Sequence, residues 1–244
     1  MIVNMRRLNL KSLHIILNAR GNYVNRTVIL CGAGPSLKQS LPLIDPHKVM
    51  VVCVDAALPA LTKAGIRPHW VMTLDAKRMV AWFWQGTDTS KLKLLAPIFA
   101  HPETLKMWKG KILFFATLGI GQDLGFPNIA PNYNVGSTFL NLLFYLNFKH
   151  IIMTGIDFSW KDSYYAVGKD IYPQQEESFP IDLPDGTQVM SNSIMVLYAE
   201  SLDKQLREFK TMNKLNIINT SCPFLKQTPM RDFKEVYNEI VGGV

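Results

Sequence analysis

Cysteine is scarce in this chain: Cys31, Cys53 and Cys222 are the only three among 244 residues. The number is odd and no C-x-x-C spacing occurs, so neither a disulfide framework nor a zinc site is supported. Reduced, buried thiols are expected, as in a cytoplasmic protein. No run of about 18 apolar residues exists, and no membrane span is expected. The richest stretch, Phe139 to Ile152, is broken by Asn141, Asn147, Lys149 and His150. A secretory signal is not expected either, because Arg6, Arg7 and Lys11 lead only into a short apolar patch, Leu13 to Leu17. There is no H-x-x-x-H, no nucleophile elbow, no P-loop lysine and no full G-x-G-x-x-G. Internal repeats and low-complexity tracts are absent as well.

Acidic residues are outnumbered, 19 against 26 Lys and Arg, for a formal net charge of +7. That balance suits an anionic ligand such as a nucleotide, or peripheral contact with an acidic membrane surface. No dense basic run interleaves with aromatics, so nucleic acid is not an expected partner.

What is present is an apolar chain, 48% hydrophobic, long enough for one large α/β domain. The stretch from Val28 to Leu37 organises the reading. Val28, Ile29, Leu30 and Cys31 read as a short buried strand. Gly32 and Gly34 permit a tight turn, and Pro35 and Ser36 suit the start of a helix. A strand, a glycine turn and a helix start make a place where free N–H groups and the helix dipole attract an anion.

The pattern then repeats. Strands are expected at Val49–Val54, Trp70–Leu74, Leu92–Ala100, Ile112–Phe115, His150–Thr154 and Leu215–Asn219. Helices are expected at Arg6–Asn18, Ala56–Ala64, Lys77–Trp84, Gly136–Leu146, Ser193–Met212 and Asp232–Val241. Such alternation argues for a mostly parallel sheet with helices on both faces. Ser159 to Met190 is long and weakly patterned but holds Trp160, Tyr164, Tyr165, Tyr172 and prolines 173, 180 and 184. It reads as a lid or binding loop. The division that follows is an N-terminal basic helix and linker over 1–26, a nucleotide-binding domain over 27–225 with its lid at about 159–190, and a C-terminal helix over 226–244.

In open parallel sheets, ligands bind beyond the carboxyl ends of the strands. That rule selects Gly32 and Gly34, then Asp55, Asp75, His101 and Asp157, as one rim. Acids there accept ribose hydroxyls, hold a metal or cap a helix. Gly136 and Ser137 open a second helix and suit a phosphate or a base edge. Tyr164 and Tyr165 are placed to donate hydrogen bonds to a leaving phosphate.

Gly32-Ala33-Gly34-Pro35-Ser36-Leu37, Val54-Asp55-Ala56-Ala57-Leu58 and Gly65 through Asp75 resemble the motility accessory factor (Maf) and MptE-like family. Gly136-Ser137 and Gly155-Ile156-Asp157-Phe158 continue the likeness. The second half also resembles bacterial sialyltransferases of glycosyltransferase family 42, through Gly155–Phe158, Tyr165-Ala166 and Cys222-Pro223. The likeness covers roughly Thr27 to Leu225 and implies a Rossmann-like nucleotide-binding fold. It also implies transfer of a nonulosonic, sialic-acid-like sugar from a CMP donor to a glycan or protein. The alternative it implies is a magnesium-dependent transfer of pyrophosphate from ATP to a hydroxymethyl pterin. A nucleotide-binding protein without catalysis is a third outcome.

In the glycosyltransferase reading Gly32, Gly34 and Ser36 hold phosphate or ribose, and Gly136, Ser137 and Asp157 hold the nucleotide. Asp55 and Asp75 orient sugar, nucleotide or a metal, and Tyr165 stabilises the departing phosphate. Asp75 and His101 are the candidate bases. The chain departs from the sialyltransferases in having no histidine over Val189 to Ile194, and Ser159 where they carry tyrosine. It departs from the MptE pattern in having Leu74 and Ala76, not an acid, beside Asp75.

Overall fold

The computed structural model describes residues 12–120, 122–166, 177–183, 185–212 and 216–242. Arg6 to Lys11 of the expected basic helix, with Tyr172, Pro173, Pro184 and Leu215, lie outside them. In chain order the strands are β1 (Thr27–Cys31), β2 (Met50–Val54), β3 (Trp70–Met72), β4 (Lys93–Pro97), β5 (Lys111–Phe115), β6 (His150–Thr154), β7 (Phe179–Asp182), β8 (Gln188–Ser191) and β9 (Asn216–Asn219). The α-helices are α1 (His14–Leu17), α2 (Leu37–Ser40), α3 (Leu58–Lys63), α4 (Pro102–Met107), α5 (Val135–Leu146), α6 (Ser193–Met212) and α7 (Phe233–Ile240).

Seven strands form one sheet in the order β5-β4-β3-β2-β1-β6-β9, and every neighbouring pair is parallel. Side-chain alternation explains why both faces are covered. Ile29 and Cys31 of β1 enter one core with Val51, Cys53 and Leu94. Val28 and Leu30 enter the other with Val52, Met72 and Leu95. A strand buried on both sides has no polar face to show, which is the apolar run seen in the sequence. On the first face pack Leu58 and Leu61 of α3, Phe83 and Trp84, and Val236 of α7. On the second pack Leu13 and Ile16, Phe139 and Leu143 of α5, and Leu202 of α6. Fully burying a side chain such as Phe139 contributes about 1.5–3 kcal/mol.

The alternating architecture is as expected. The differences lie in the connections. The helix expected from Pro35 is a single turn, α2, and Ser36 makes no side-chain cap bond to it. Lys77–Trp84 forms a 3-10 helix over Arg78–Trp84, and α4 was not anticipated. The weakly patterned stretch after Ser159 contains an antiparallel hairpin, β7 with β8. Its start is tied down at both ends. Trp160 and Met190 exchange backbone hydrogen bonds of 2.9 and 2.7 Å, and the Ala166 amide donates to the Ala33 carbonyl at 2.8 Å.

Strand order runs outward from β1 in both directions, so it reverses between β1 and β6. A crevice for ligands is expected at that point, beyond the carboxyl ends.

Candidate functional site

The crevice is there, as two communicating lobes that share Asp55, Asn134, Val135, Tyr164, Tyr165 and Tyr198. The larger, about 620 Å³, adds Asp75, Lys77, Phe83 and Asn192. The smaller, about 190 Å³, adds Gly32, Gly34, Gly136, Asp157 and Trp160.

Its floor is built by backbone packing. The Gly32 amide donates to Thr154 O at 2.8 Å and the Gly34 amide to Gly155 O at 2.7 Å. A Cβ on Gly32 would lie 2.2 Å from Gly155 O, and one on Gly155 would lie 2.4 Å from Gly32 O. Only glycine lets the two turns approach so closely. The expectation of free outward amides at Gly32 and Gly34 is therefore corrected: both are spent on β6. Ser36 is likewise structural. Its hydroxyl accepts the Gly155 amide at 3.2 Å, and it lines neither lobe.

The carboxyl beside this turn is internal. Asp157 is buried, and the hydroxyl and amide of Ser36 interact with its carboxyl. Its Oδ2 has no hydrogen-bond partner among the described residues. Burial pushes Asp157 up to about 7, and the Ser36 bonds pull the other way. Asp55 is pushed up to about 6, again by burial first. The Thr73 hydroxyl beside it and the Ala56 amide, which donates to Oδ1 at 2.8 Å, draw it back. Thr73 Oγ1 itself falls outside hydrogen-bond geometry. The charge of Asp75 raises Asp55 further. Asp75 is half-buried and accepts the Lys77 amide at 2.9 Å, which closes a turn.

Two helix N-termini line the same cavity. Asn134 caps α5, accepting the Ser137 amide at 2.9 Å. Asn192 caps α6, accepting the Met195 amide at 2.8 Å. Val135, Gly136 and Ile194 line the cavity, and their amides make no hydrogen bond among the described residues. These helices span 12 and 20 residues. Free amides at the ends of two long dipoles favour negative charge between them. Aromatic rings complete the walls: Tyr133 stacks on Tyr198 at 6.5 Å, Tyr164 meets Tyr165 edge-on at 4.7 Å, and Phe83 meets Tyr165 at 6.2 Å.

Thus the structure brings Gly32, Gly34, Asp55, Asp75, Gly136, Asp157 and Tyr165 to one cavity. It leaves out three residues. His101 caps α4, its Nδ1 accepting the Glu103 amide at 3.2 Å. Ser137 is buried, with its hydroxyl accepting from Asn134 Nδ2 at 3.0 Å. Ser36 serves β6, as above. Asn134, Asn192, Lys77 and Tyr198 were not singled out from sequence. Asparagine's preference for the cap position was the available signal for the first two.

The chain belongs to the 6-hydroxymethylpterin diphosphokinase MptE-like family, whose model matches residues 1–163. Among solved structures it is similar to the MAf glycosyltransferase from Magnetospirillum magneticum AMB-1. That match has a TM-score of 0.57 and 15% identity, and covers 92% of this chain but 38% of the other. The likeness supports the fold; this chain spans well under half of that enzyme. Looser matches are two Campylobacter jejuni sialyltransferases. For the monofunctional alpha-2,3-sialyltransferase Cst-I the TM-score is 0.37 at 15% identity, covering 86% and 82% of the two chains. For CstII, solved with cytidine-5'-monophosphate, it is 0.36 at 12%, covering 86% of each. No curated protein matches the chain. The resemblance drawn from Gly32–Leu37 and Gly65–Asp75 to the Maf and MptE-like group is borne out.

Proposed function

We propose that the chain is a transferase acting on a nucleotide-activated donor, and that the donor is a CMP-linked acidic sugar of the nonulosonic kind. The observation that carries this reading is the convergence of the α5 and α6 N-termini on one aromatic-walled cavity that also holds Asp55 and Asp75. Donor phosphate would sit on the free amides of Val135, Gly136 and Ile194. The base would lie between the rings of Tyr133 and Tyr198, and Lys77 would meet the sugar carboxylate.

The chemistry is displacement of CMP from the anomeric carbon by an acceptor hydroxyl. Asp55 replaces Asp75 and His101 as the candidate base, because His101 is outside the cavity and burial pushes Asp55 up to about 6. A base in that range is ionised at neutral pH yet still takes a proton well. Burial holds it there, and repulsion from Asp75 adds to the effect. Tyr165 would donate its hydroxyl to the phosphate as charge develops on it.

A second reading is favoured by the family match over residues 1–163: pyrophosphate transfer from ATP to a hydroxymethyl pterin. It requires magnesium. Asp55 and Asp75, which line the same cavity and repel one another, are the residues that would hold that ion, with phosphate oxygens completing its shell. Metal there would supply charge neutralisation at the transferred group.

One experiment separates the two. The protein is offered CMP-sialic acid and CMP-pseudaminic acid, and separately ATP with hydroxymethyl pterin and magnesium. CMP release supports the first reading. AMP formation without CMP release overturns it in favour of the second, and thermal stabilisation by CMP without turnover points to a binding protein.

A further inference from the structure

We propose that the cavity at the amino ends of β1, β2 and β3 binds a small phosphate-bearing anion. It lies at the opposite edge of the sheet from Asp55 and Asp157, so it is separate from the donor crevice. Its volume is about 380 Å³, and Arg26, Thr27, His47, Lys48 and His69 line it. That volume exceeds what one phosphate fills and lies in the range of small-molecule pockets.

Three observations converge. First, the cations are unneutralised: Arg26 and Lys48 on the cavity wall, and Arg67 and Lys93 outside its lining, form no ion pair among the described residues. Second, the fields of three of them, Arg26, Lys93 and Arg67, reach His69 on the cavity wall. Burial pushes His69 below its ordinary value, a backbone hydrogen bond with Val51 pulls it back, and the charges of Arg26, Lys93 and Arg67 push it down again. Third, His69 is oriented as a donor. The Val51 amide donates to its Nδ1 at 3.3 Å, so the neutral ring carries its proton on Nε2.

Opposing features are smaller. Asp45 stands next to Pro46, but its carboxylate already accepts the His47 amide at 2.9 Å. Ile240 and Val241, at the carboxyl end of α7, bring a partial negative charge of about half a unit. Several full positive charges outweigh it. An arginine fork, an ammonium and imidazole N–H groups together match the dense charge of a phosphate better than a lone carboxylate. The same chemistry could be met by a free phosphoester or by a phosphate headgroup on a lipid surface.

The test is titration of the full chain with inorganic pyrophosphate, followed by NMR of the histidine rings and by calorimetry. Wild type should bind, with His47 and His69 resonances moving and the His69 pKa rising. Arg26→Gln with Lys48→Gln, both exposed residues, should weaken binding by about tenfold or more, while the same loss of charge at exposed Lys106→Gln with Lys109→Gln, outside both cavities, should leave it unchanged. Absence of any His69 response overturns the proposal. So does an Arg26→Gln, Lys48→Gln protein that titrates like wild type, or an equal loss of binding in Lys106→Gln with Lys109→Gln. Co-sedimentation with phosphatidic acid vesicles that needs Arg26 and Lys48 assigns the headgroup as the source. Pyrophosphate binding without vesicle binding assigns a free phosphoester.

Discussion

A methyl group on Gly34 would stand 1.9 Å from Oδ2 of Asp157. The glycine thus exists for the carboxyl as much as for the turn. At Gly32 the obstacle is main chain, Gly155 O at 2.2 Å. Gly34→Ala should cost about 1–3 kcal/mol, as an overpacked site does. Gly32→Ala should cost more, because a backbone carbonyl of the central sheet cannot swing away as a side chain can. Urea denaturation followed by circular dichroism gives both values. A Gly32→Ala protein as stable as Gly34→Ala would show that the β1–β6 contact yields easily.

Stability should depend on pH through the two buried acids. Free aspartate titrates near 3.9, whereas Asp55 is raised to about 6 and Asp157 to about 7. Between those values the native state holds protons that the unfolded state has lost. Their contribution is fully present below about pH 4 and is lost as pH rises through about 7. Asp157→Asn keeps the shape and removes one titration. Its stability should therefore change less than wild type's over that window, measured as urea midpoints at each end. Parallel curves for the two proteins would mean that Asp157 is not proton-linked to folding.

Tyr165 and His101 were both read from sequence as catalytic, and the structure separates them. Tyr165→Phe should lower kcat by about 10- to 1000-fold with little change in KM, because it removes a donor needed only as charge develops. His101→Ala should leave kcat alone and cost about 0.5–2 kcal/mol of stability, the loss of a helix cap. Steady-state kinetics and thermal unfolding on the two variants check this. Equal loss of activity in both would return His101 to the site.

Why one residue was legible and the other not has a physical explanation. Strands β1, β2 and β6 bury both faces, so their sequences are unbroken apolar runs, and the acids that follow them are easy to place at the sheet's carboxyl edge. The helix–strand alternation was legible for the same reason. Hydrogen-bond partners were not. Whether the Gly32 amide faces a ligand or Thr154 O depends on a strand more than 100 residues later in the chain. Ser36 and Ser137 were read as presented hydroxyls, but each is used by a neighbour across the fold, Gly155 and Asn134. The hairpin β7–β8 escaped notice because only Val189 and Ser191 of it are buried, so it carries little hydrophobic alternation to read.

Asp75 tests the proposed chemistry most sharply. Its charge raises Asp55, so Asp75→Asn should let the Asp55 pKa fall. If Asp55 is the base, the acidic limb of the kcat/KM profile must move to lower pH, since the base is then ionised over a wider range. The plateau rate should drop modestly, because a weaker base accepts a proton less readily. A magnesium-dependent pyrophosphate transfer predicts something else. There the two carboxylates act as ligands, and Asp75→Asn should raise the magnesium concentration needed for half-activity by roughly tenfold or more. Profiles of kcat/KM against pH and against magnesium, on wild type and Asp75→Asn, distinguish a base tuned by its neighbour from a pair of ligands. An unchanged acidic limb together with unchanged magnesium dependence would remove Asp75 from both roles.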